Sequence, residues 1–236
     1  MTVLTSSRFL FRRWLLIFGV LFGIFIVLPF LAPVFVYLGL EGPGKAIYTI
    51  YSFLCHQLPQ RSFFLFGPKF TYTIPEILAD SPGTTATLFS LRKYIGSPEM
   101  GWKVAWSDRM VSMYASTWLF AIFWGLFRKW MPKLPWWGLV LFLLPMAVDG
   151  TSHFISEITQ SGFRMHNIWL VHLTGNSFSQ SFYPGEAWGS FNSLARLASG
   201  LFFGIGVVWF GFPFLDTEFQ YYARRPTKSR VSMEET

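Results

Sequence analysis

The sequence predicts an all-α integral membrane protein, a bundle of four transmembrane helices plus a re-entrant or interfacial segment. Three observations predict this class. Charged residues make up only 13% of the 236-residue chain, about half the share found in a soluble domain. Four hydrophobic runs are each long enough to cross roughly 30 Å of hydrocarbon. Aromatic residues make up 20% of the chain, which suits contact with lipid and with the membrane interfaces.

The first hydrophobic run covers residues 14–40 and carries no charge. Arginines precede it, as in a signal peptide, but it is longer than a signal peptide's apolar region of about 7–15 residues. It also lacks a clear cleavage site, so we expect an uncleaved anchor. Pro29 and Pro33 should kink this helix or end it early. The other three runs cover about residues 106–127, 134–155 and 191–214.

The distribution of basic residues predicts the orientation. The N-terminal tail (1–13), the loop between the second and third runs, and the C-terminal tail (216–236) are all basic. Because cytoplasmic loops carry an excess of lysine and arginine, both termini should lie in the cytoplasm. Residues 14–215 would then form a single domain in the cell membrane, with external loops at about 41–105 and 157–189. These bases account for the net charge of +7, and no nucleic-acid-binding motif accompanies them.

The first external loop contains an unusual apolar segment. Residues 46–66 are apolar around a polar centre that includes Cys55 and His56. Pro59 argues against one straight span, so this segment is the predicted re-entrant hairpin or interfacial helix. The rest of the loop, residues 67–101, is richer in proline, glycine, serine and threonine, which predicts an exposed excursion.

Polar residues lie at the predicted outer ends of the second, third and fourth spans and in the segment around Cys55. Ionisable groups at membrane depth are costly unless they pair or line a wet cavity. The simplest arrangement is one polar network in the outer half of the bundle. The alternative is a set of charge pairs that only lock the helices together. The network would contain Arg61, Asp108, Arg109, Asp149, Asn192 and Arg196.

Cys55, His56 and His153 are the candidate metal ligands. His153 follows Asp149 by four residues and so shares its helix face, and thiol and imidazole groups suit zinc or copper. A metal ion is therefore an option for the cofactor, but it requires a proximity that the sequence does not show. The plain structural interpretations are an inert buried thiol for Cys55 and a hydrogen-bonded helix residue for His153. Cys55 is the single cysteine, which excludes an intrachain disulfide.

Four pieces of the chain resemble the DUF2085 family, a group of prokaryotic membrane proteins of unknown function. The resemblance covers about residues 45–215, with insertions between the pieces. The pieces are IYSFLCHQLPQRSFFLFG (50–67), SDRMVSMY (107–114), LLPMAVDGTSH (143–153) and FNSLARLASGLFFG (191–204).

The second piece departs from the family pattern, which usually reads Cys-x-Arg-Cys followed by a glycine and a tyrosine. This chain keeps Arg109 and Tyr114, and the resemblance adds Tyr114 to the predicted polar network. Ser107 and Met110 stand at the two cysteine positions. His153 stands where the family tends to carry glutamine. If family members use those thiols for metal or redox chemistry, this chain has lost most of that equipment.

We therefore expect a multi-pass membrane protein that acts as a non-catalytic subunit of a larger membrane assembly. Its partners would be the lipid bilayer and other membrane subunits, not nucleic acid. The runner-up hypothesis is a small transporter or binding protein with an outward-facing polar or metal site. An enzyme ranks third, because the sequence has no HExxH or GxSxG motif and no paired carboxylates at a telling spacing.

Overall fold

Nine helices and three strands make up the part of the chain, residues 9–224, that the computed structural model describes, apart from short helical turns. In chain order they are α1 (Trp14–Tyr37), α2 (Glu41–Tyr51), β1 (Ser62–Leu65), α3 (Ile74–Asp80), α4 (Leu88–Lys93), β2 (Gly96–Ser97), β3 (Gly101–Ser107), α5 (Asp108–Phe127), α6 (Trp136–Ile158), α7 (Phe163–His166), α8 (Ile168–Thr174) and α9 (Phe191–Arg224).

The predicted helical membrane bundle is confirmed. Helices α1, α5, α6 and α9 are the four in the described region that are long and apolar enough to cross a membrane. Helix α1 continues through Pro29 and Pro33 to Tyr37, so neither proline ends it. Helix α9 continues past the predicted boundary at 214 to Arg224. The basic tails predicted from the sequence fall largely on residues 1–8 and 225–236, which lie outside the described residues.

Helices α5 and α9 approach each other closely along small residues. A Cβ atom on Gly200 would lie 2.1 Å from the Ser112 hydroxyl oxygen, and one on Gly204 would lie 2.5 Å from the Met113 carbonyl oxygen. Small residues four apart allow two transmembrane helices to pack backbone to backbone. Helix α6 packs on the same helix, α9. The close approach of α5 and α9 therefore holds Asn192 and Arg196, which belong to α9, near the start of α5.

The opposite end of the bundle is held by an aromatic cluster and an ion pair. The rings of Trp14, Trp124 and Phe212 meet there, with centroids 5.3–6.4 Å apart. Asp216 accepts hydrogen bonds from the Trp14 indole at 3.0 Å and from Arg128 at 2.7 Å. The start of α1, the end of α5 and the last third of α9 therefore lie together, far along the helices from Asp108, Asp149 and Arg196.

Helix α2 folds back along α1. The Tyr51 hydroxyl donates to the Phe25 carbonyl oxygen at 2.7 Å, twelve residues before α1 ends. The segment predicted to be re-entrant or interfacial, residues 46–66, contains the end of this helix, the loop around Cys55 and strand β1. Cys55 follows the helix and is buried against Trp106 and the residues around it.

A small antiparallel sheet, with strand order β1-β3-β2, was not predicted. Phe64 pairs with Lys103, and Gly96 pairs with Trp102. Helices α3 and α4 cover this sheet with Ile77 and Leu91. The second span was expected to begin near Trp106, but that residue belongs to β3, so α5 begins at Asp108. Because β3 ends where α5 begins, Ser107 and Asp108 lie at the polar end of the bundle.

Candidate functional site

Asp108 and Arg196 form a buried ion pair between α5 and α9. The Arg196 Nε atom donates to Asp108 Oδ1 at 2.8 Å, and Nη2 donates to Asp108 Oδ2 at 2.7 Å. The Arg196 side chain is only 2% exposed. Asp108 lies in the first turn of its helix, where a negative charge complements the helix dipole, and its Oδ1 atom also accepts the Arg109 backbone N–H. This bidentate geometry is the strong form of a charge-assisted hydrogen bond.

Asp149 is the centre of a second charge cluster. Its Oδ2 atom accepts from Arg109 at 2.5 Å, and its Oδ1 atom accepts a short hydrogen bond from Arg164. His153, one turn later on α6, lies 3.2 Å from the same Arg164 nitrogen. Two arginines therefore share one buried carboxylate. The positive charge beside Asp149 exceeds the single negative charge of that residue.

Arg61 completes the network from the loop before β1. It binds both carboxylate oxygens of Glu186, at 2.5 and 2.6 Å, and reaches Glu157 at 3.0 Å. Burial alone would raise the pKa of Glu186, but the charge and hydrogen bonds of Arg61 and the charge of Arg196 lower it to about 2. Glu186 is therefore ionised at neutral pH and holds Arg61 in place.

Asn192 ties the segment between α6 and α9 to α9. Its amide nitrogen donates to the carbonyl oxygens of Arg164 and Gly185, at 2.6 and 2.8 Å. Asn167 donates in turn to the Asn192 side-chain oxygen at 3.2 Å. These contacts fix the backbone near both ends of this segment, and so they position Arg164 and Glu186 over the helix ends.

A cavity of about 210 Å³ lies inside this network. His56 and Glu157 are exposed lining residues and mark its mouth. Cys55, Ser107, Arg109, His153 and Arg196 line the interior. The Cys55 sulfur accepts the Gln57 backbone N–H at 3.3 Å and lies 3.6 Å from the Ser107 hydroxyl oxygen.

The three candidate metal ligands, Cys55, His56 and His153, all line this cavity. Within residues 9–224, however, no three histidine, cysteine or acidic side chains come close enough to hold one metal ion. His153 is instead hydrogen-bonded within the Asp149 cluster.

The structure brings six of the seven predicted network residues together and leaves one outside. Tyr114 packs in an aromatic cluster, with its ring 4.6 Å from Trp106 and 5.3 Å from Phe25, and it makes no hydrogen bond to the network among the described residues. The six that meet are Arg61, Asp108, Arg109, Asp149, Asn192 and Arg196.

Sequence reasoning missed Arg164 and Glu186. Both lie in the loop after α6, and they are the two charged residues between Glu157 and Arg196. An isolated charge in such an apolar stretch requires a partner, and that was the available signal.

Lys103 is a further buried titratable residue beside the site. It is fully buried on β3, and its ammonium donates to the carbonyl oxygens of Gln57 and Arg92, at 2.6 and 2.9 Å. Burial lowers the pKa of Lys103 to about 7. The contact with Gln57 fixes the loop that carries Cys55.

The fold and this network define a multi-pass helical membrane protein with a polar cavity at one end of its bundle. The family model for DUF2085, described as a predicted membrane protein, matches residues 100–210. An uncharacterized protein of the archaeon Methanocaldococcus jannaschii is 30% identical over 151 residues, 61% of this chain and 75% of that relative. The chain belongs to the DUF2085 family, as its motifs predicted. No solved structure matches it significantly.

Proposed function

We propose that this protein is a small membrane-embedded binding protein, of the transporter type, and that the polar cavity is its ligand site. The observation that carries this proposal is the cavity itself. It lies where four chain segments converge, it has an exposed mouth, and its lining combines three arginines with His153 and Cys55. Intramembrane ionisable residues that face a cavity are typical of substrate and ion pathways.

A transporter-type site also requires a defined side of the membrane, and we propose that the cavity faces outward, with both termini in the cytoplasm. Arg12, Arg13, Arg128, Lys129 and Lys133 flank the ends of α1, α5 and α6 that lie away from the cavity. Because cytoplasmic ends carry the excess of basic residues, their position at this end supports the orientation.

The test is ligand-induced stabilisation of the purified protein in detergent. Any solute that binds only the folded state raises the midpoint of thermal unfolding. Gly150 lines the cavity, and a Cβ atom there would lie 3.5 Å from Arg109 Nη1, so a Gly150→Leu variant fills the space. We expect polar solutes that stabilise the natural protein to have no effect on this variant.

The matched control is Gly211→Leu on α9, where a Cβ atom would meet nothing within 4 Å. This variant should respond to solutes as the natural protein does. An equal response of the Gly150→Leu variant would contradict the assignment of the site. A broad panel of polar solutes without any stabilising member would contradict the binding function.

A non-catalytic role as a subunit of a larger membrane assembly is the second candidate. A largely apolar groove of about 810 Å³ runs between α1 and α5, and Gly19, where a Cβ atom would meet nothing within 4 Å, lines it. Small residues at such a surface let another transmembrane helix approach closely. Purification from native membranes in mild detergent should then give a defined complex, and a protein that purifies only as a monomer would contradict this role.

A further inference from the structure

The charges around the polar cavity are unevenly distributed between its interior and its mouth. Three carboxylates of the network are buried, since the side chains of Asp108, Asp149 and Glu186 are 4–6% exposed. The fourth, Glu157, is 46% exposed and lies at the mouth. The buried acids are matched by four arginines, namely Arg61, Arg109, Arg164 and Arg196. Because Glu157 pairs with Arg61 at the mouth, the four carboxylates balance the four arginines overall, and the excess positive charge lies in the interior.

Two guanidinium nitrogens of arginines that line the cavity also have no acceptor in the described part of the chain. Arg196 Nη1 and Arg109 Nε are buried without a hydrogen-bond partner among the described residues. The nearest acid to Arg196 Nη1 is Glu186, at 4.0 Å. Both oxygens of each buried carboxylate already accept from other arginine nitrogens. A buried N–H without an acceptor is costly, so a ligand that brings acceptor oxygens and negative charge would complement the site.

We propose that the cavity binds a small oxyanion, a carboxylate or a phosphate, between Arg109 and Arg196. This inference rests on the proposed function, because it names the chemical class of that site's ligand. The volume of about 210 Å³ corresponds to about seven water molecules at about 30 Å³ each, which admits a ligand of the size of succinate. Arginine is well suited to this role, since its planar fork matches carboxylate and phosphate geometry.

Cys55 provides the measurement. It lines the same cavity and is the only cysteine in the chain. Two methanethiosulfonate reagents, one with a sulfonate group and one with a trimethylammonium group, form a mixed disulfide with a thiol and release methanesulfinate. We would measure both rates on the purified protein and normalise them to the rates of a small free thiol. We expect about a fivefold preference for the sulfonate reagent.

Arg109→Gln should abolish that preference, because it removes the excess charge. The matched control is Arg128→Gln, which removes an arginine that is 37% exposed at the opposite end of the bundle, and it should keep the preference. Succinate or inorganic phosphate should slow the modification of Cys55 at millimolar concentration, and whichever protects better identifies the source of the oxyanion. The neutral analogue succinamide should not protect.

The outcomes separate the two proposals. Equal normalised rates for the two reagents, protection by neither anion, or protection by succinamide as strong as that by succinate would overturn the oxyanion assignment. Stabilisation of the natural protein by neutral or cationic solutes, lost in the Gly150→Leu variant, would still uphold the binding function. If Cys55 reacts only after the protein is unfolded, the cavity is closed to solutes, and both proposals fail.

Discussion

Removing the charge of Asp108 should destabilise the bundle by about 3 kcal/mol. Breaking a buried ion pair typically costs about 3–5 kcal/mol, because the remaining partner becomes an uncompensated buried charge. Arg196 is only 2% exposed, so water compensates little of its charge when Asp108 is neutral. It keeps a hydrogen bond to the Glu186 carbonyl oxygen at 2.8 Å, and this places the expected loss at the lower end of the range. Asp108→Asn is the suitable change, since its side-chain oxygen can still accept the Arg109 backbone N–H.

The assay is reversible unfolding by SDS in mixed micelles, followed by circular dichroism. The double variant Asp108→Leu/Arg196→Met removes both charges and should recover to within about 1 kcal/mol of the natural protein. The Arg128→Gln variant breaks a partly exposed pair and should cost less than about 1 kcal/mol. The reasoning is refuted if Asp108→Asn costs no more than Arg128→Gln, or if the double variant is as unstable as the single one.

Three further predictions follow from the packing and from the buried lysine. Gly204→Val should cost more than about 3 kcal/mol in the same SDS assay, because its side chain would overlap backbone of α5, whereas Gly211→Ala should be nearly neutral. The free energy of unfolding should rise from about pH 7 to about pH 10.5, since folding lowers the pKa of Lys103 to about 7 from the ordinary 10.5 and the unfolded chain then binds the extra proton. A Lys103→Met variant should lose that part of the slope. Ser107→Cys should form a disulfide with Cys55 on mild oxidation, seen as the loss of both free thiols, because their side-chain termini are 3.6 Å apart in the natural protein.

The spans could be predicted because their signal is local. Each is a long run of mainly apolar residues that carries at most two charged side chains, and the membrane thickness sets its length. The small sheet could not be predicted in the same way. Strand β3 is buried on both faces from Lys103 to Trp106, so the alternation that marks a half-buried strand is absent. Its partner β1 lies about forty residues earlier, and nothing in either segment specifies that pairing.

The residues of the site also fall into those that have a local signal in the sequence and those that do not. Asp108, Asp149 and Arg196 were predictable because charges at the ends of apolar spans must find partners at one level of the bundle. Arg164 and Glu186 lie in a loop, where the path of the backbone depends on the Asn192 and Asn167 side-chain contacts. Those contacts exist only in the folded structure. The sequence therefore shows two isolated charges but not where these side chains lie in the folded protein.

The loss of Arg196 and the loss of Arg109 should affect the fold differently. This difference allows an effect on stability to be distinguished from an effect on ligand binding. Arg196 is the side chain that neutralises Asp108, so the contact between α5 and α9 depends on it. Arg109 shares Asp149 with Arg164, and its loss leaves that carboxylate paired. A residue whose carboxylate partner keeps a second arginine, and whose Nε atom has no acceptor within residues 9–224, is better explained by what enters the cavity than by what holds the helices. Arg109 is therefore the residue at which a structural network and a ligand site can be told apart.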